Sequence, residues 1–320
     1  MMNFIQQAYK GKNDWFLYVA TILIVFIGWQ VLGAIPLLVT AVLHSADLGE
    51  FYKAAGDNFM TLGIDKNLFL VMMISTFVFG LITLLICVKG LHKRSITSLV
   101  TSREKIDWKR FWFAFVLWGL IAGVTTLISI YTSPETNTWN FKPVPFFTLL
   151  TVCFLMLPLQ TSLEELLFRG YFMQGLGTAT KNRWFPLLFT SVLFGVMHLA
   201  NPEVAKLGYI SMVFYIGTGL FYGIVTLMDE GTELALGLHA VNNIVAATLV
   251  TTDWVALQTD ALFVDTSEPS VGYEMFLPVL VLYPIMLLIF SKKYGWKNWG
   301  EKLFGKIHKP IELEENYRIL

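Results

Sequence analysis

Thr161-Ser162-Leu163-Glu164-Glu165-Leu166-Leu167-Phe168-Arg169-Gly170 sets three formal charges inside a stretch that is otherwise as apolar as a lipid tail. A charge at the centre of a bilayer costs at least about 2.5 kcal/mol on insertion scales, so ionisable residues persist there mainly where they pair or work. Glu164, Glu165 and Arg169 are therefore the first candidates for function.

The surroundings justify the comparison with lipid. The 320 residues are 55% hydrophobic and only 14% charged, where a soluble domain averages about 25% charged. The fold class that follows is all-α, a polytopic membrane protein. Taking about 20 apolar residues per span, eight transmembrane helices are expected, over 15–43, 68–91, 109–132, 146–176, 184–200, 207–228, 233–250 and 273–291. The first run is long and lacks a small-residue cleavage site, which reads as a membrane helix and not a signal peptide. Zero net charge leaves no excess of Lys and Arg for nucleic acid. Cys87 and Cys153 fall in apolar runs and read as small buried hydrophobes.

Of the 23 Lys and Arg residues, eighteen lie in 1–14, 89–110, 177–183 and 292–320. The bias of basic residues toward the cytoplasmic side places both termini and the 92–108 loop there. The sequence then divides into membrane helices 1–3 with their loops (1–144), a core of helices 4–7 (145–250), an outward loop with helix 8 (251–291) and a tail (292–320). Trp108, Lys109, Arg110, Phe111 and Trp112, with Lys292, Lys293, Tyr294 and Trp296, have the composition of interfacial anchors. The tail fits a short surface helix followed by a disordered end.

Pro158 interrupts the fourth apolar stretch, and a kink or break is expected there. Beyond it, Ser162 and Glu165 have capping-box spacing, and Glu165 and Arg169, four apart, face each other as an ion pair. Glu164 points about 100° away from that pair, and none of these structural roles uses it.

Two further constellations follow. Phe194 and His198 share a helix face four residues apart, where the histidine is either a satisfied core residue or a catalyst. His239 and Asn243 repeat the spacing with Asn242 close by, and here the alternative is interhelical hydrogen bonding. Asp229, Glu230 and Glu233 read as a solvated turn, and His44, His92 and His308 as loop or tail residues without a role.

These three motifs resemble those of the intramembrane glutamic endopeptidases called the CPBP family. That family includes the type II CAAX prenyl proteases and the bacteriocin-processing and abortive-infection proteins. Its pattern of a double glutamate with arginine four later, phenylalanine with histidine four later, and histidine with asparagine four later is matched at Glu164-Glu165-x-x-x-Arg169, Phe194-x-x-x-His198 and His239-x-x-x-Asn243. The resemblance covers roughly 145–250.

It implies hydrolysis of a peptide or protein substrate, free or membrane-associated, without a cofactor. Glu164 is the base for water, His198 the holder of that water and the proton shuttle, and His239 and Asn243 the oxyanion donors. Glu165, Arg169 and Phe194 orient the site. A zinc site of Glu164, His198 and His239 is the second reading, unsupported by any His-Glu-x-x-His helix. Outside enzymology, the rivals are a scaffold or immunity protein, or a transporter using Glu164 and the histidines as a proton relay. The expected location is the bilayer of a bacterial inner membrane.

One geometric demand remains. At 1.5 Å per residue His198 lies roughly 22 Å along its helix from Arg183, and His239 only about 9 Å from Glu233. Straight, perpendicular helices keep the two apart.

Overall fold

The computed structural model describes residues 2–56, 58–272 and 275–310. Five helices are long and apolar enough to cross a membrane: α1 (Trp15–His44), α2 (Lys66–Gly90), α3 (Trp108–Thr132), α4 (Pro143–Thr180) and α6 (Tyr209–Asp229). Two shorter apolar helices, α5 (Trp184–Val196) and α7 (Glu233–Leu249), complete the middle of the chain. A π turn over Pro278–Leu282 leads into α8 (Tyr283–Tyr294). Helix thus occupies all eight expected segments, five of them as full-length spans, and the protein is an all-α integral membrane protein.

Local chemistry sets several starts. Asp65 accepts from the Leu68 N–H at 3.0 Å ahead of α2, and Asp107 from the Lys109 N–H at 3.0 Å ahead of α3. Such caps satisfy backbone donors that would otherwise lack partners. Large apolar side chains stand exposed along α1, α2, α3 and α4, among them Leu23, Ile86, Leu120 and Leu155. A soluble monomer does not expose so continuous an apolar surface; it is the lipid-facing belt.

α4 is 38 residues long, about 57 Å at the α-helical rise and well beyond a bilayer core of about 30 Å. It does not break at Pro158. The α-helix runs from Pro143 to Glu165, widens into a π turn over Leu166–Phe172, and resumes over Met173–Thr180. The expected capping box is accordingly absent. Ser162 Oγ donates to the Pro158 carbonyl at 2.5 Å, because an uninterrupted helix offers no free first-turn N–H to cap.

Three apolar clusters hold the bundle. Trp118, Phe221, Leu238 and Phe290 join α3, α6, α7 and α8; Val25, Leu84, Leu163 and Leu167 join α1, α2 and α4; Leu70, Leu149 and Ile244 join α2, α4 and α7. Cys87 and Cys153 are buried free thiols. A small sheet, unexpected from the sequence, gathers β1 (Asn137–Trp139), β2 (Val250–Thr251) and β3 (Phe263–Asp265) in the order β1-β3-β2. β1 runs antiparallel to β3, with Asn137 opposite Asp265, and β2 runs parallel to it, with Val250 opposite Phe263. It ties the segments after α3 and α7 together.

At the opposite end the turn between α6 and α7 is not solvated, contrary to expectation. Asp229 and Glu233 are buried. Arg103 pairs with both, at 2.9 and 3.2 Å, and Arg110 pairs with Asp229. Trp296 Nε1 donates to Asp229 Oδ1 at 3.2 Å, so Arg110 and Trp296 lock this joint and are not interfacial anchors alone. His92 is also no idle loop residue. It is fully buried, with Nδ1 2.8 Å from the Lys12 carbonyl and Nε2 2.7 Å from Tyr171 Oη. In the tail, Trp299–Phe304 is a short helix whose Leu303 is buried; the expected disordered end falls on residues 311–320, outside those described.

Candidate active site

Glu165 and Arg169 form the buried ion pair that their spacing predicts, Arg169 Nη1 to Glu165 Oε1 at 2.8 Å, both side chains closed to solvent. Such a pair is stabilised in an apolar interior by further hydrogen bonds, and here they are partial, since Arg169 Nε and Glu165 Oε2 are buried without a hydrogen-bond partner among the described residues. Arg169 Nη2 donates to the Gly219 carbonyl at 3.0 Å, and the guanidinium lies 4.5 Å from the Phe194 ring centre. His239 completes the arrangement, with Nδ1 2.8 Å from the same Glu165 oxygen. α4, α5, α6 and α7 thereby converge on one cluster.

The Glu165 carboxylate is an acceptor, so the His239 Nδ1 carries the hydrogen and Nε2 faces away, 3.7 Å from Glu164 Oε2. Glu164 Oε1 accepts from Gln160 Nε2 at 2.5 Å. Behind Gln160 a chain of amides extends: Trp118 Nε1 donates to Asn242 Oδ1 (3.2 Å), Asn242 Nδ2 to Asn243 Oδ1 (3.3 Å), and Asn243 Nδ2 to Gln160 Oε1 (3.1 Å). Every donor in that series points toward Glu164. Its second oxygen, Oε2, is buried and accepts no hydrogen bond from the described residues.

A cavity of about 520 Å³ opens onto this group. Its polar lining includes Glu164, Gln160, His198, Asn242 and Asn243; its apolar lining includes Trp29, Phe77, Phe168 and Phe214. Glu165, Arg169 and His239 are not among the lining residues. The two adjacent glutamates are thus separated by access: one reaches the cavity, the other is enclosed by charge partners.

His198 does not lie in a helix as expected. α5 ends at Val196, and His198 sits in the turn after it. Its ring centre is 4.8 Å from that of Phe194, which is itself 5.8 Å from that of His239. The two histidines, which straight perpendicular helices would keep apart, are bridged by Phe194, whose ring lies against both imidazoles. The expected residues from three helices are assembled around one cavity wall and the cluster behind it.

Sequence reasoning missed Gln160, Glu203 and Tyr215. Gln160 was detectable, standing four residues before Glu164 on the same helix face. Tyr215 stacks on His198 with ring centres 4.3 Å apart, and nothing in its local sequence signals that contact. For zinc the donor set does not fit: among the described residues no group of three His, Cys, Asp or Glu side chains is placed to hold a metal ion.

Comparison with known proteins agrees with the motif reading. Residues 143–245 match the family described as type II CAAX prenyl endopeptidase Rce1-like, and the expected family resemblance is borne out over this segment. YyaK of Bacillus subtilis (strain 168), itself uncharacterized, is 29% identical over 258 residues, covering 78% of this chain and 83% of its own length. The matched segment spans α4 to α7 and contains every residue of the three motifs. A membrane protease acting on a peptide or protein substrate is the activity that this family carries.

Proposed function

We propose that the protein is an intramembrane endopeptidase in which Glu164 activates the attacking water. The observation that carries this reading is Glu164 Oε2: a buried carboxylate oxygen at the cavity wall that no donor among the described residues occupies. Glu164 takes a proton from water as hydroxide adds to the scissile carbonyl, which is general-base catalysis through a positioned side chain. His198, whose Nδ1 donates to the Phe194 carbonyl, accepts a hydrogen bond from that water at Nε2, receives the proton that Glu164 took, and passes it to the departing amine as the C–N bond breaks, which returns Glu164 to carboxylate. Asn243, whose amide has a second N–H beyond the one given to Gln160, supplies the oxyanion donor; His239, whose ring hydrogen sits on Nδ1 toward Glu165, has none to give from Nε2, which lies 3.7 Å from Glu164 Oε2. One such donor is worth about 10²- to 10³-fold in rate in soluble proteases.

Glu165 and Arg169 do not react; they fix the ring of His239 and the path of α4. The cavity volume lies within the roughly 300–1,000 Å³ of small-ligand sites, adequate for a short peptide segment bordered by apolar side chains. The Bacillus relative supports a bacterial plasma membrane as the location.

The test compares membrane peptides by mass spectrometry from cells carrying the wild type, Glu164→Ala or no copy of the protein. Fragments present only with the wild type are expected, and their generation by purified protein in liposomes containing a chelator separates the glutamate mechanism from zinc. Identical peptide profiles across the three strains would overturn the peptidase reading, and proton flux lost in Glu164→Ala would replace it with transport.

A further inference from the structure

The mechanism above leaves one charged residue of the cavity wall unused. Glu203 lies in the short helix Pro202–Leu207 that follows the His198 turn. A carboxylate beside so much apolar surface needs partners, and it draws three from separate places. Tyr215 Oη donates to Oε1 at 2.6 Å, Asn201 Nδ2 to the same oxygen at 3.1 Å, and the Ala256 N–H to Oε2 at 3.1 Å. Ala256, with Val255 and Leu257, is part of the cavity wall.

Tyr215 carries the consequence to His198. The two rings are stacked, 4.3 Å between centres and 22° between planes. On its own backbone His198 lacks the rigidity of a helix, since it sits in the turn beyond Val196. Its Nδ1 is 2.7 Å from the Phe194 carbonyl; a carbonyl only accepts, so Nδ1 holds the hydrogen and Nε2 is the nitrogen left for the cavity. A ring with one hydrogen bond can still swing about its side-chain torsions. The Tyr215 face blocks that swing, and the Tyr215 ring is in turn held by its hydroxyl on Glu203.

We propose that Glu203 and Tyr215 are positioning residues that fix the orientation and tautomer of His198, and that Glu203, through Ala256, couples this imidazole to the cavity wall at 255–257. The clamp serves the proton-shuttle role assigned to His198 and in that respect rests on the peptidase reading. Its existence is independent of that reading, and the experiment separates the two.

Tyr215→Phe keeps the stacked ring and removes only its tether, and Glu203→Gln keeps the side-chain volume and removes the charge. Histidine-labelled full-length protein in nanodiscs, with the His198 signals assigned by loss in His198→Gln, reports the tautomer through long-range proton–nitrogen spectra. Wild type is expected to show His198 as a single Nδ1–H form, and both variants to show its two nitrogen shifts moving toward each other as the ring is released. Cleavage in the membrane-peptide comparison should fall at least about tenfold in each, in line with the cost of misplacing a reacting group.

Unchanged His198 shifts in both folded variants would overturn the clamp, whatever the cleavage result. If instead the wild type cleaves nothing while the variants release the His198 ring, the peptidase reading fails and the clamp stands. A variant that does not fold is replaced by the other, since each cuts the same link at a different atom.

Discussion

Removing the charge of Glu165 would strand Arg169, whose guanidinium is fully buried and whose one anionic partner among the described residues is that carboxylate, at 2.8 Å. Breaking a buried pair from one side costs about 3–5 kcal/mol. Glu165→Gln is therefore expected to lower the melting temperature in detergent strongly or to prevent accumulation in the membrane. Glu164→Gln keeps the side-chain volume and the link to Gln160 while abolishing cleavage, and it should melt close to the wild type. The opposite order of stabilities would refute the division of roles between the two glutamates. This pair shows how far single residues were legible. An ionisable residue in an oily run advertises itself, and four-residue spacing finds its partner on the same helix. Ser162 was misread because a capping box needs a helix start, and none exists where the helix passes through Pro158. Glu203 and Tyr215 were invisible because their contacts lie between a turn, a helix and a distant loop, each polar residue being ordinary where it stands.

Helices that are apolar on every side carry no amphipathic signal of which face meets which neighbour. Existence and approximate extent of the eight segments were readable from hydropathy; their pairing was not. Small residues decide part of it, as they do where membrane helices approach closely. A Cβ built on Gly219 of α6 would stand 2.7 Å from the Ser191 carbonyl oxygen and 3.0 Å from its Cα in α5. The same glycine's carbonyl holds Arg169. Gly219→Ala must push α5 away from α6, with a destabilisation of about 1–3 kcal/mol typical of overpacking. Because α5 carries Phe194 and leads into His198, cleavage should fall further than the loss of folded protein explains. Thermal melting and the membrane-peptide comparison on the same preparations check this, and parallel losses would reduce Gly219 to a packing residue. The π turn over Leu166–Phe172 belongs to this scale too. It lies directly after Glu165 and contains Arg169, and π segments recur at functional sites, yet no hydropathy pattern announced it.

Across the whole molecule, the four stretches rich in Lys and Arg meet at one residue that looked solvated in sequence. The Glu230 side chain accepts from the Phe4 N–H and from Lys302, and pairs with Arg183 at 3.6 Å, while its carbonyl accepts from Ser102 N at 3.0 Å. Contact puts all four stretches on one side of the bilayer, the arrangement that their charge bias required. His92 fastens the same end by joining the N-terminal segment, through the Lys12 carbonyl, to Tyr171 of α4. Burial holds its pKa below the usual 6.5, with the neighbouring Arg94 acting in the same direction and the Lys12 hydrogen bond opposing. The unfolded chain therefore takes up a proton at a pH where folded His92 stays neutral, and the unfolded state binds more protons through that window. Stability from this group is complete above about pH 6.5 and declines as pH falls from there toward the lowered folded value. The melting temperature in nanodiscs should drop on acidification below pH 6.5. His92→Gln, which has no proton to gain, should melt lower than the wild type at pH 8 and show a shallower acid decline. Parallel curves for the two proteins would mean that His92 is not the group that loosens the N-terminal segment from α4.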